Sequence, residues 1–193
     1  MMKFKHLMAG LAVAGLALSP QPASAWSGCG VGVGAAMLDG EISGIGGPIN
    51  IGSDGQAIGG RLSCDAKLGS FLIGLNVDYD YLFGDLESLG IKTDLSGGLR
   101  AGVIVSDTWA LYGTGGVSRL DTSFGMYDGW YLGGGIMGKL PNSPLYLSLE
   151  YTHRIYDVSS IAPPGVDATV DRLRLGLDFK FNVPAMSAFS GSK

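Results

Sequence analysis

The stretch Val170 to Phe181 reads VDRLRLGLDFKF, and few folds can use it. Leu173, Leu175, Leu177, Phe179 and Phe181 fall on one face at a period of two, while Arg172, Arg174, Asp178 and Lys180 fall on the other. A half-buried strand of a water-soluble sheet also alternates, but it seldom separates charge so strictly. Here the apolar face ends in two aromatics, which suits a strand with lipid outside and a polar interior.

The same alternation recurs upstream and predicts eight strands: 26–38, 56–68, 71–82, 93–105, 108–118, 129–140, 145–156 and 170–181. The connections between them run long, short, long, short, long, short, long. The tight ones are Gly69-Ser70, Ser106-Asp107 and Pro141-Asn142-Ser143-Pro144; the longer ones are 39–55, 83–92, 119–128 and 157–169. All long loops then lie at one end of the sheet and all tight turns at the other. That is the asymmetry of an up-and-down transmembrane barrel, with short periplasmic turns and longer outer loops. Strands of about eleven residues at ~3.3 Å each, tilted ~40°, also match the roughly 25 Å apolar band of such a barrel.

The first 25 residues are set apart. Lys3 and Lys5 form a basic start, Leu7 to Leu18 an apolar run, and Ala23-Ser24-Ala25 a small-residue cleavage site, so a signal peptide is expected over 1–25, cut before Trp26. Its apolar run is shorter than the ~20 residues that span a bilayer, and Pro20 and Pro22 close it. No later run approaches spanning length, so any membrane insertion must use strands. Removing Lys3 and Lys5 from the 13 basic residues leaves 11 against 17 acidic ones. A mature chain of that balance is a poor partner for nucleic acid.

With each strand phased on its apolar residues alone, the charges test the reading. Arg61, Asp65, Lys67, Asp78, Asp80, Asp94, Arg100, Lys139, Glu150, Arg154, Arg172, Arg174, Asp178 and Lys180 all take the inner face. Asp171 and His153 have outward parity but lie near the outer rim, where a charge costs little. A soluble lipocalin-like barrel or β-sandwich would instead place large apolar side chains inside and solvated charge outside. The expected fold is therefore all-β: an eight-stranded antiparallel up-and-down transmembrane β-barrel over 26–181, after a cleaved signal peptide, with a short periplasmic tail over 182–193.

Three segments carry a family likeness: Gly129-Trp130-Tyr131-Leu132-Gly133-Gly134-Gly135, then Leu149-Glu150-Tyr151-Thr152-His153-Arg154-Ile155-Tyr156-Asp157, then Leu173 to Phe181. They look like GW-x-x-G-x-G, LEYRY-x-D and R-x-G-L-x-Y-x-F. In this order and spacing the chain resembles the small eight-stranded outer-membrane proteins of Gram-negative bacteria, in particular the surface-antigen and opacity-protein group. The resemblance implies location in the cell outer membrane and insertion by the barrel assembly machinery, which reads an aromatic-ended last strand, here Phe181. Members usually stop at that aromatic, whereas this chain continues from Asn182 to Lys193, too short a tail for a peptidoglycan-binding domain.

Function follows from what the faces offer. The inward set counts eight basic and six acidic groups, enough to pair across the lumen as a structural plug. A narrow ion path is the competing reading, although aqueous porin channels need about twice as many strands. Phe71, Trp109, Phe179 and Phe181 toward the turns, and Tyr79, Tyr81, Trp130 and Tyr151 toward the loops, are expected to form two interfacial aromatic girdles. Cys29 and Cys64 share a face on adjacent strands, which leaves open either a cross-strand disulfide in the oxidising periplasm or two small apolar side chains in lipid.

Catalytic, cofactor and metal sites are not expected. One histidine, His153, remains after cleavage, without a second metal ligand or a G-x-S-x-G elbow. Its surroundings do not look like the histidine motif of the lipid A deacylases, which are also eight-stranded barrels. Gly44-Ile45-Gly46-Gly47-Pro48 lacks the strand-to-helix setting and the Lys of a phosphate loop and is expected to be a surface loop. The longer loops carry Asp39, Glu41, Asp54, Asp85, Glu87, Asp121, Asp128, Asp157 and Asp167 against Arg119 and Lys92. They suit contact with divalent cations and lipopolysaccharide, or with a host or phage receptor. The expectation is a non-enzymatic outer-membrane barrel that supports the envelope and displays four loops. The alternatives are a narrow channel, a surface protein that captures a ligand such as hemin, and, more remotely, a lipid-modifying enzyme.

Overall fold

In hydrocarbon every backbone N–H and C=O must find a partner within the protein, and strands can satisfy this only by closing into a barrel. The computed structural model of the chain does so. It describes residues 26–43, 53–84, 87, 90–158 and 167–181. The strands are β1 (Gly28–Ser43), β2 (Ser53–Leu68), β3 (Phe71–Gly84), β4 (Ile91–Ile104), β5 (Trp109–Thr122), β6 (Gly125–Lys139), β7 (Leu145–Asp157) and β8 (Asp167–Phe181). Each pairs antiparallel with its neighbours in chain order, and β8 returns to β1 to close the barrel. The expected signal peptide over 1–25, the Gly44–Pro48 loop, Asp85 and the tail over 182–193 lie outside the described residues.

Strand number, order and phase agree with the sequence reading, but the strands run further at the loop end. The expected loop at 119–128 is mostly ladder, with Arg119 opposite Asp128 and Thr122 opposite Gly125, so only Ser123 and Phe124 turn the chain. Likewise β1 and β2 continue to the pair Gly40 and Ser53, and β8 begins at Asp167 opposite Asp157. The reason is physical. Above the bilayer a strand no longer needs an apolar outer face, so ladder pairing persists where alternation has stopped.

Trp26, expected to open the first strand, is instead a turn residue with φ 79°. Its indole is 1% exposed and packs edge-on against Tyr146 inside the barrel, ring centroids 5.6 Å apart. Ser27 is buried with it, and its Oγ accepts from the Lys67 amide at 3.0 Å.

The lumen is tight enough to need glycine. A Cβ added at Gly133, whose parity is inward, would stand 2.1 Å from the Tyr151 carbonyl oxygen. At outward Gly60 the nearest atom would be the Gly32 carbonyl oxygen at 3.8 Å, ordinary contact. Gly133→Val should therefore lose the folded form that resists SDS until boiled, overpacking costing roughly 1–3 kcal/mol or more. Gly60→Val should keep it, and electrophoresis with and without heating reads both.

Candidate functional site

The alternation of each strand aims its polar side chains inward, and the register of the closed sheet decides which of them meet. Arg61 on β2 lies near the middle of the network. Its Nε donates to Asp78 Oδ1 at 2.6 Å on β3, and its Nη2 and Nη1 donate to Glu150 Oε1 at 2.7 Å and Oε2 at 3.1 Å on β7, across the lumen. Tyr112 donates its hydroxyl to Glu150 Oε2 at 3.0 Å, and Asn76 Nδ2 donates to Asp78 Oδ2 at 2.7 Å.

Toward the periplasmic turns, Asp65 takes two cations. Arg100 Nη2 reaches both its oxygens at 2.8 Å, and Lys180 Nζ reaches Oδ2 at 2.6 Å. Toward the outside, Arg172 pairs with Asp80, and Arg154 pairs with Asp94, which also accepts the Tyr156 hydroxyl at 2.7 Å. Aromatic faces cover several of the cations: Arg100 over Tyr112, Arg154 over Tyr131 and Lys180 over Tyr146.

One assignment from the sequence is corrected and one refined. Lys67 has inward parity but is exposed, because it lies next to the turn pair Leu68 and Phe71, where the lumen meets the periplasm. Lys139, at the last pair of β6 with β7, is only partly buried. The buried set is therefore six basic groups (Arg61, Arg100, Arg154, Arg172, Arg174 and Lys180) against six acidic ones (Asp65, Asp78, Asp80, Asp94, Glu150 and Asp178). The eight-to-six excess becomes a balance.

Two members of the set are poorly paired. The three guanidinium nitrogens of Arg174 have no hydrogen-bond acceptor, and Nε stands 3.9 Å from Asp78 Oδ1. Asp178 takes one bond, from Ser148 Oγ at 3.3 Å, and its Oδ1 has none.

Inward apolar side chains close the ionic section above and below. Trp26, Leu72, Ala110, Met137 and Tyr146 cluster at the periplasmic end, and Leu38, Ala57, Leu82, Leu120, Tyr127 and Tyr156 at the outer end. Leu72 and Leu82 hold inward parity on β3 on either side of Asn76, Asp78 and Asp80. Their signal was a change of residue type along one face, which phasing by the outer face passes over.

On the outer wall Phe71, Tyr79, Tyr81, Trp109, Trp130, Tyr151 and Phe179 are exposed, and Phe181 is partly buried. They form an upper and a lower set about the apolar band, as interfacial aromatics do. Cys29 and Cys64 stand opposite each other on β1 and β2 and are joined by a disulfide.

At the outer rim, register creates a cluster that no single strand announces. His153 Nδ1 lies 2.7 Å from Asp171 Oδ1, and the Tyr151 hydroxyl donates to the same oxygen at 2.7 Å. Among the described residues no serine, threonine or cysteine hydrogen-bonds the other imidazole nitrogen, and no group of three His, Cys, Asp or Glu side chains could hold a metal.

The network predicts an asymmetry between two substitutions. Glu150→Gln leaves Arg61 and Arg172 short of a buried counter-charge and should cost about 3–5 kcal/mol. Arg174→Met removes a buried cation that has no hydrogen-bond acceptor and should be neutral or stabilising. Urea titration of the barrel in phospholipid vesicles, followed by tryptophan emission, measures both.

Comparisons place this geometry among known proteins. The chain is similar in structure to Ail, the attachment invasion locus protein of Yersinia pestis, at 11% identity and TM-score 0.43, over 79% of this chain and 99% of that one. It is also similar to Neisserial surface protein A, at 13% identity and TM-score 0.47, over 78% and 97%. A de novo designed transmembrane β-barrel is similar at 14% identity and TM-score 0.41, over 77% and 94%. No curated protein sequence matches. The family model for the outer membrane protein beta-barrel domain matches residues 8–181, and the chain belongs to that family, as a closed eight-stranded barrel of the outer membrane.

Proposed function

We propose that the protein is a non-catalytic structural barrel that supports envelope integrity and presents four outer connections to the outside, working through its wall and rim rather than its lumen. The observation that carries this reading is the filled interior: six buried cations and six buried anions lie between two apolar layers. Side chains, not water, occupy such a small barrel. What remains available to other molecules is the apolar outer wall and the extracellular ends.

The rim supports contact with lipopolysaccharide and its divalent cations. Asp39 stands opposite Asp54 on one side and Asp171 on the other, so three neighbouring strands carry outward carboxylates at one level. Such a field draws cations to that arc. Host or phage receptors would meet the same ends, and the barrel assembly machinery would read the last strand at Phe181. Capture of a ligand such as hemin would have to use His153, whose Nδ1 is already engaged by Asp171.

A narrow ion path is the second reading, and the observation favouring it is the weak pairing of Arg174 and Asp178 on β8. Planar bilayer recording separates the two. The structural reading predicts no unitary current from the purified barrel, and reproducible steps abolished by Arg174→Met would replace it with the channel. In cells lacking the protein, uptake of an apolar dye should rise and return to normal with a plasmid copy. A copy carrying His153→Ala should restore it equally; failure together with altered lipid A mass would point to the enzyme.

A further inference from the structure

Trp26 and Ser27 stand outside the sheet but inside the barrel. The ladder of β1 with β2 begins at Gly28 opposite Asp65, and that with β8 at Cys29 opposite Phe181. Ahead of these pairs the chain bends back under the wall into the lumen. Gly28 supplies the bend at φ 136°, a conformation that a residue with a Cβ rarely adopts. Trp26 is itself at φ 79°, an outlier for so bulky a side chain.

The bend carries the indole into an apolar pocket. Leu72, Ala110, Tyr112, Met137 and Tyr146 share one buried cluster with it. On the same Tyr146 ring, 4.6 Å from its centroid, lies the Lys180 Nζ, which pairs with Asp65, and Asp65 also holds Arg100. Trp26 therefore stands between the first ions of the lumen and the periplasmic mouth.

Little besides packing keeps it there. The Ser27 Oγ accepts from the Lys67 amide, but neither Trp26 nor Ser27 joins a strand ladder. The indole N–H is buried without an acceptor, and a donor left so costs free energy. The left-handed backbone is a second cost, and burial of one large side chain has to offset both. A segment balanced in this way opens more readily than the sheet it hangs from.

We propose that Trp26 is a releasable stopper of the lumen. Seated, it shuts the periplasmic mouth; swung out about Gly28, it opens the ionic section to the periplasm. The outer apolar layer around Leu38, Leu82 and Leu120 stays closed, so release admits water and small solutes without making a through-channel. The inference goes beyond the wall-and-rim reading and rests on cleavage after Ala23-Ser24-Ala25, which makes Trp26 the first residue of the mature chain. A free end of that kind swings out without breaking a strand pair.

The mature barrel in detergent micelles, carrying Ala110→Cys as a reporter in the pocket, provides the test. Ala110 is 0% exposed, and Cys29 and Cys64 are bonded to each other, so a charged maleimide reads only the new thiol. Labelling should be slow, and Trp26→Ala should speed it roughly ten- to a hundredfold, as for loss of a large side chain from a small local unit. Gly28→Ala keeps the indole but makes the bend costly, and it should speed labelling too. With Trp109 and Trp130 changed to Phe, Trp26 emission should be blue and shielded from acrylamide, then red and quenched after Gly28→Ala.

Should Trp26→Ala lose its heat-dependent electrophoretic shift, Gly28→Ala carries the test alone; should both lose it, Trp26 belongs to the folded core and the proposal fails. Equal labelling in parent and variants overturns it, as does Trp26 emission that is already red and quenched in the parent. So does faster labelling in Trp26→Ala while Gly28→Ala stays protected with blue emission, which would make the rise a mere cavity. A unitary current from Trp26→Ala together with fast labelling would uphold the stopper and overturn the filled-lumen reading instead, so the two fail separately.

Discussion

The structure depends on giving buried charges partners inside a wall of strands. Arg61 shows how: one guanidinium binds a carboxylate on the neighbouring strand and another across the lumen, tying β2 to β3 and to β7 at once. Lone charges in such a space would cost several kcal/mol each, so a lumen of this composition folds only in the register that pairs most of them. A slip by one residue would turn every ion toward lipid. The ionic interior thus selects one register, whatever its net contribution to stability.

The same alternation bears on location. Were both faces apolar, segments such as Val170–Phe181 would join into the long apolar runs that insert as helices. Inward ions interrupt β2, β3, β4, β7 and β8, and inward glycines and hydroxyls interrupt the others, while the outward face still offers lipid a nearly uninterrupted hydrocarbon surface. One pattern therefore keeps the chain from spanning as a helix and lets the closed sheet reside in the outer membrane.

The fold was legible because its signal is local. Leu173 to Phe181 against Arg172 to Lys180 reports its two faces without knowledge of any other strand, and seven more segments repeat it. What the sequence left open was whatever depends on register or depth. The disulfide between Cys29 and Cys64, the meeting of His153, Tyr151 and Asp171, and the pairing of Arg61 with Glu150 all join residues of different strands, whose alignment no single strand encodes. Lys67 was misplaced because parity gives direction but not depth. Trp26 was misplaced because a residue at a strand's start can turn into the lumen instead of extending the ladder. The strands' extra length was hidden because pairing continues in water after the apolar alternation ends.

Pairing across the lumen is the central claim, and a double-mutant cycle on Arg61 and Glu150 tests it most directly. Arg61→Met, Glu150→Met and the double variant would be unfolded reversibly in phospholipid vesicles and compared with the parent. The account predicts a coupling of about 2–5 kcal/mol, with the double variant more stable than the sum of the single losses implies. Single losses that simply add, within roughly 0.5 kcal/mol, would mean that the two groups do not act as a pair and would contradict the account.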